Sequence, residues 1–167
     1  SETAMKMKAA RLLSNPRRNK EKMVSALGLD LGAKRIGVAG CDRTGLIATG
    51  LTTLHRTNFE SLTRPLSELI QSREVEVLVV GLPYTMDGAI GSQAKKIQKL
   101  ARRLSKALDV PIEFMDERLT SFAAEQMLID ERRSLEHNKA LIDRKAAAII
   151  LQQWLDDRRE RDKNVLP

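Results

Sequence analysis

The chain has 167 residues, a formal net charge of +7 and a sequence pI near 9.8. This length fits one domain with a buried core, and the single cysteine, Cys41, excludes both an intramolecular disulfide framework and a cysteine-rich zinc site. No apolar stretch reaches the length of a membrane span, and none follows the basic N-terminus as in a secretory signal, so we expect a cytoplasmic protein without a membrane partner.

The positive charge is concentrated at the start of the chain. Residues 1–23 carry seven Lys or Arg against two Glu and so supply +5 of the +7. We expect a basic, flexible arm at 1–22, one domain at 23–160 and a C-terminal tail at 161–167. The arm is either a tether for nucleic acid or a passive segment, such as a targeting remnant that would place the protein in the plastid stroma. With one Trp, one Tyr and three Phe, base stacking cannot be the main binding mode.

Three strand-like segments come first, and their short connections indicate hairpins. The segments span 24–31, 35–41 and 46–54, and turn-forming residues separate them at 32–34 and 42–45. Connections this short predict antiparallel pairing.

The rest of the chain alternates between helices and strands. Apolar spacing predicts two further strands and four helices; the strands are at 75–81 and 110–115, and the helices are at about 58–72, 92–108, 121–130 and 139–159. Three antiparallel strands followed by crossover units predict a mixed five-stranded sheet with helices on both faces. This order is that of the α/β ribonuclease H-like fold.

The first carboxylate of interest, Asp30, lies within an apolar strand. Leucines alternate at 27, 29 and 31, so Gly28 and Asp30 point to the opposite face. The glycine would leave room for a ligand close to the backbone. The alternative is that Asp30 only forms the turn beside Gly32.

The second, Asp143, lies on the face of the final helix that we expect to be buried. Its neighbours at helical spacing are Ala146, Ala147, Ile150 and Trp154. The small alanines would let the helix approach a sheet and bring the carboxylate to it. The alternative is a residue near the helix start that is favoured there by the helix dipole.

The third cluster, Asp116 and Glu117, follows a strand end, where open α/β sheets bind their ligands. The alternative is a solvated loop with Arg118 in a surface ion pair. Carboxylates gathered in one pocket repel one another, and a divalent cation that prefers oxygen ligands, Mg²⁺ or Mn²⁺, would remove the repulsion. The three clusters therefore predict a metal-dependent enzyme acting on phosphate esters.

Four motifs, in this order, resemble the YqgF/RuvX family, most closely its cyanobacterial or plastid branch. They span Leu29–Ala39, Val80–Gly88, Asp116–Ser121 and Ile142–Leu151, and the resemblance covers residues 24–156. It implies a ribonuclease H-like fold akin to the RuvC resolvases. It also implies a nuclease that processes the 5′ end of the 16S ribosomal RNA precursor, in a family earlier described as Holliday-junction resolvases.

The resemblance carries an acidic site onto Asp30, Asp143 and one of the pair Asp116 and Glu117, of which we favour Glu117. These residues would be catalytic and would hold one or two Mg²⁺ or Mn²⁺ ions that orient water for in-line attack on phosphorus. No histidine is needed as a base.

Contacts to the substrate are expected around this acidic site. Lys34, Arg35 and Arg118 are candidate phosphate contacts, although solvated surface charges are the alternative, and Thr85 lies in the loop 81–88 that would line the cleft. The expected partner is nucleic acid, either structured RNA or branched DNA, bound by a monomer or homodimer.

Three other functions remain open. A branched-DNA resolvase would use the same site. A non-catalytic RNA-binding factor for ribosome assembly would carry the carboxylates without turnover and would bind RNA equally well in EDTA. Sugar kinases and actin-like ATPases also begin with Asp-Leu-Gly before a hairpin, but they need two such domains and this chain has room for one.

Overall fold

The computed structural model describes residues 2–6, 23–117 and 139–165. Residues 2–6, within the predicted arm, form a short helical segment. The main strands and helices are β1 (Ala26–Leu31), β2 (Arg35–Cys41), β3 (Ala48–His55), α1 (Glu60–Arg73), β4 (Val77–Leu82), α2 (Ser92–Leu108), β5 (Ile112–Asp116) and α3 (Lys139–Val165).

The five strands form one mixed sheet in the order β3-β2-β1-β4-β5. β2 pairs antiparallel with both β1 and β3, whereas β4 lies parallel to β1 and β5 lies parallel to β4. The short turns force the antiparallel pairs, and the helical crossovers allow the parallel ones. The predicted ribonuclease H-like arrangement is confirmed.

Each face of the sheet is covered by helices over its own apolar cluster. α1 and α2 pack on the face that carries Leu27, Leu29 and Leu31 of β1. α3 packs on the other face, where Ala26 belongs to the second cluster. Because side chains alternate along a strand, Gly28 and Asp30 also lie on the α3 face.

Glycines let α3 lie very close to the sheet. A Cβ atom at Gly28 would be 2.8 Å from the carbonyl oxygen of Ala147, and one at Gly37 would overlap the carbonyl oxygen of Asp143. The predicted close approach of this helix is therefore present. The space that we expected Gly28 to leave for a ligand is instead filled by the helix, with Leu151 Cβ 2.7 Å from the glycine's missing Cβ position.

The ends of the chain differ from the predicted boundaries. α3 continues to Val165, because charged residues with good helix propensity extend it into the segment 161–167 that we expected to be a tail. The predicted helix at 121–130 lies outside the described residues. Cys41 is buried at the end of β2. In the described parts of the chain, no helix is long and apolar enough to cross a membrane.

Candidate active site

Two of the three acidic clusters meet at one edge of the sheet. β1, β4 and β5 are mutually parallel, so their carboxyl ends lie at the same edge. Asp30 is the penultimate residue of β1, Asp116 is the last residue of β5, and Glu117 follows it directly. The strand arrangement therefore brings together carboxylates that are 86 or more residues apart in the sequence.

Glu117 lies on the same face of the sheet as Asp30. Its Oε1 atom is 2.8 Å from the position that a Cβ atom would occupy at Gly81, and Ile150 of α3 contacts the same position at 2.5 Å. Gly81 follows Val80, which is in register with Leu29 next to Asp30. Met115 belongs to the α3-side cluster, so the alternation along β5 directs Asp116 to the opposite face. Glu117 and Asp116 therefore lie on opposite faces of the sheet, and only Glu117 shares the face of Asp30.

Burial and the neighbouring carboxylates together disfavour the ionised form of Glu117. Burial is the main cause that raises its pKa to about 7, and the negative charges of Asp30 and Asp116 raise it further. Burial and like charge both disfavour the ionised form of a carboxyl group. A cation at this place would relieve the repulsion.

Asp143 comes to the same face through α3. Gly37, whose surface is covered by the Asp143 backbone, is the cross-strand partner of Asp30, and directly opposed residues lie on one face of a sheet. The Asp143 side chain is about one-fifth exposed and accepts a bond of 2.7 Å from Nε of Arg35. As predicted, Ile150 and Trp154 lie on the buried side of this helix.

The acidic residues have the right chemistry to bind a divalent cation, but their side chains are not close enough together to hold one in the present arrangement. Carboxylate oxygens are the donors that Mg²⁺ and Mn²⁺ prefer. Burial first, and then the negative charges of Asp30 and Asp116, raise the pKa of Glu117, so a cation here would stabilise its ionised form. Within residues 2–6, 23–117 and 139–165, no three His, Cys, Asp or Glu side chains are grouped closely enough to hold a metal ion. Asp143 would have to turn from Arg35 to join Asp30 and Glu117.

The predicted substrate contacts lie in different surroundings. Lys34 is exposed in the turn between β1 and β2. Arg35 is held by Asp143 and is therefore not oriented freely toward solvent. Thr85 bonds to Asp87 and to the backbone of Ala89, so its hydroxyl stabilises the loop after β4. Arg118 lies outside the described residues.

Sequence reasoning missed two features. The first is the role of Gly37 and Gly81, which form the floor on which Asp143 and Glu117 lie. Glycine inside a strand can signal such a close approach. The second is the charge of α2, whose six bases are accompanied by no acidic residue. A count of charge along each predicted helix would have found it.

Solved structures share this fold. RuvC of Thermus thermophilus in complex with a Holliday junction substrate matches with a TM-score of 0.53 and 14% identity, over 81% of this chain and 96% of that one. The fowlpox virus resolvase in complex with Holliday junction DNA matches with a TM-score of 0.50 and 11% identity, over 81% and 99% of the two chains. Identities this low support the common fold alone.

Two curated relatives from cyanobacteria are much closer in sequence. Both carry the name "Putative pre-16S rRNA nuclease". The protein of Trichormus variabilis is 64% identical over 138 residues, which are 83% of this chain and 91% of the relative. That of Thermosynechococcus vestitus is 58% identical over 144 residues, or 86% and 95% of the two chains. A family model described as RuvX, Holliday junction resolvase, matches residues 24–157. The chain therefore belongs to the RuvX family.

Proposed function

We propose that this protein is a metal-dependent nuclease that hydrolyses phosphodiester bonds at the 5′ end of the 16S ribosomal RNA precursor. The observation that carries the proposal is the meeting of Asp30 and Glu117 on one face at the carboxyl edge of the sheet, with Asp143 on the helix that covers this face. The names of the curated relatives support the RNA substrate.

We assign the metal ligands to Asp30, Glu117 and Asp143. Glu117 is preferred over Asp116 because its carboxylate lies above Gly81 on the α3 face. All three ligands offer oxygen donors, which favours Mg²⁺ or Mn²⁺. A bound ion would supply charge neutralisation at the phosphate and activation of a water molecule. Asp116 would add negative charge that strengthens the attraction of the site for a cation.

Arg35 would position Asp143. Its Nε atom lies 2.7 Å from Asp143 Oδ2, so the guanidinium neutralises this carboxylate while the two side chains remain paired. When Asp143 turns toward Asp30 and Glu117, the guanidinium is released at the rim of the site and can bond to a substrate phosphate. Lys34, exposed in the adjacent turn, offers a second cation for the phosphate backbone. Arg118, the next residue in the sequence after Glu117, would contribute in the same way.

Cleavage of branched DNA is the second candidate function. The description of the family and the resolvases that share the fold favour it. The experiment is incubation of the protein with a ribosomal-precursor leader, a four-way DNA junction and a linear duplex, each with Mn²⁺ and with EDTA. We expect Mn²⁺-dependent cleavage of the leader. Cleavage of the junction alone would replace the RNA substrate by branched DNA, and RNA binding that is equal in EDTA without any cleavage would favour the non-catalytic assembly factor.

A further inference from the structure

α2 differs from the other helices of the described structure in the sign of its charges. Its 17 residues include no acidic residue. Its six bases are Lys95, Lys96, Lys99, Arg102, Arg103 and Lys106. The first 23 residues supply +5 and α2 supplies +6, so the remaining residues sum to −4. The positive charge of the folded domain is therefore concentrated on one helix.

The six bases form one stripe, which we call the α2 stripe. All of them are exposed, whereas Ala94, Ile97, Leu100, Ala101 and Leu104 are buried against the sheet. At 100° per residue the bases cover about 120° of the helix surface, centred opposite the buried face. From Lys95 to Lys106 the stripe extends about 16 Å at a rise of 1.5 Å per residue.

Acidic neighbours neutralise bases on the other helices but not on α2. Arg64 pairs with Glu60 on α1, and Lys163 pairs with Glu160 on α3. Among the described residues, no salt bridge involves a base of the α2 stripe. An ordinary solvated helix face mixes both signs of charge, so a stripe of one sign creates a positive potential that attracts polyanions.

A recess lies beside the α2 stripe, toward the catalytic edge of the sheet. It has a volume of about 250 Å³ and is lined by the β1–β2 turn, the segment between β3 and α1, the first turn of α1 and part of α2. Its cations are Arg103, whose guanidinium stacks 4.3 Å from the ring centroid of Phe59, and Arg56, which donates a 2.9 Å bond to the carbonyl of Gly32. Gly32 follows the carboxyl end of β1. The recess therefore lies at the same edge of the sheet as the acidic site, but on the α1–α2 face and not on the α3 face that carries Asp30.

We propose that the α2 stripe and this recess bind the phosphate backbone of a double-helical part of the substrate, whose scissile strand continues to the acidic site. This inference rests on the proposed nuclease function. A duplex carries about one charge per 1.7 Å of its axis, so a stripe of 16 Å can meet several phosphates. α2 has no aromatic residue, and Arg103 covers the ring of Phe59, so the surface lacks the platforms that single-stranded bases need.

The test compares two triple variants of the full chain. One replaces Lys95, Lys99 and Arg102 of the α2 stripe by Gln. The other, a matched control, replaces three exposed bases elsewhere by Gln: Arg64, Arg161 and Lys163. Both remove three charges at helical positions where Gln is well tolerated, and thermal melting verifies the fold. Binding to a fluorescent 20-base-pair RNA duplex is measured in EDTA over a range of salt concentrations, so cleavage does not contribute.

We expect the α2 variant to bind more weakly and its log–log salt slope to fall by about 2–3, while the control stays close to wild type. An equal loss of affinity in both variants would show that only the net charge matters. An unchanged salt slope in the α2 variant would show that this surface does not bind RNA. Either result overturns the inference. A shift in affinity for an acidic polypeptide but not for the duplex would do so as well. Loss of the proposed nuclease function is recognised separately, as absence of cleavage by a wild-type protein that still binds the duplex.

Discussion

The change Glu117→Gln should reveal how strongly the folded protein disfavours a negative charge at this position. The folded protein raises the pKa of Glu117 from 4.5 to about 7 through burial and through Asp30 and Asp116. At about 1.4 kcal/mol per pH unit this corresponds to about 3 kcal/mol against the charged form. The side chain is partly exposed to water, so we reduce the expected effect to about 1–2 kcal/mol.

The direction of the change with pH follows from the linkage between protonation and folding. A carboxyl group with a raised pKa in the folded state adds stability at low pH, and this contribution is lost as the pH rises from 4.5 through 7. Gln is neutral at every pH and avoids the loss. In EDTA, the free energy of unfolding of Glu117→Gln minus that of wild type should therefore increase by about 1–2 kcal/mol between pH 5 and pH 8.

Urea unfolding at pH 5, 6, 7 and 8 measures this difference. Glu113→Gln is the matched control, because Glu113 is an exposed carboxylate on the same strand. The increase with pH for Glu117→Gln should exceed that of this control. A difference for Glu117→Gln that changes no more than the control's, or that decreases with pH, would refute the reasoning that burial and the neighbouring carboxylates oppose the charge of Glu117.

Two further changes test the floor of the site and the third ligand. Gly37→Ala should destabilise the protein by about 1–3 kcal/mol in urea unfolding, because the new methyl group overlaps the Asp143 carbonyl. Gly91→Ala is the control, because the added carbon there meets Thr85 at an ordinary 3.5 Å. Equal stabilities of the two variants would contradict the close approach of α3. Asp143→Asn should lose cleavage and most of the thermal stabilisation by Mn²⁺, which for wild type is about 2.7 kcal/mol at one hundred times the dissociation constant. In EDTA its stability should fall by less than about 1 kcal/mol, because the bond to Arg35 is partly exposed and the amide oxygen can still accept it. A variant that keeps the full Mn²⁺ shift would show that Asp143 is not a ligand.

Local pattern was enough to predict the architecture. The turn at 32–34 is too short for anything but a hairpin, and the helix at 92–108 matches the observed helix at both ends because its apolar residues keep strict helical spacing. Four strands, β1, β3, β4 and β5, begin about two residues later than the sequence predicts. The reason is that apolar residues such as Val24 and Val75 are buried before the strand pairing begins.

The site was harder to predict because it depends on contacts between distant residues. Alternation correctly placed Asp30 opposite the leucines, but only the position of α3 shows that the space at Gly28 is filled by Leu151. The ion pair between Arg35 and Asp143 joins residues 108 positions apart. Nothing in either local pattern indicates that a predicted phosphate contact and a predicted metal ligand would bind one another.

The most direct test of the central claim is cleavage of a ribosomal-precursor leader by wild type and by Asp30→Asn, with Mn²⁺ and with EDTA. Asn has nearly the shape of Asp but lacks the charge that would hold a cation. We predict cleavage only by wild type with Mn²⁺, and an Asp30→Asn protein that is folded by thermal melting but inactive. Cleavage by wild type in EDTA, or cleavage by Asp30→Asn at the wild-type rate, would contradict a metal-dependent site built on Asp30.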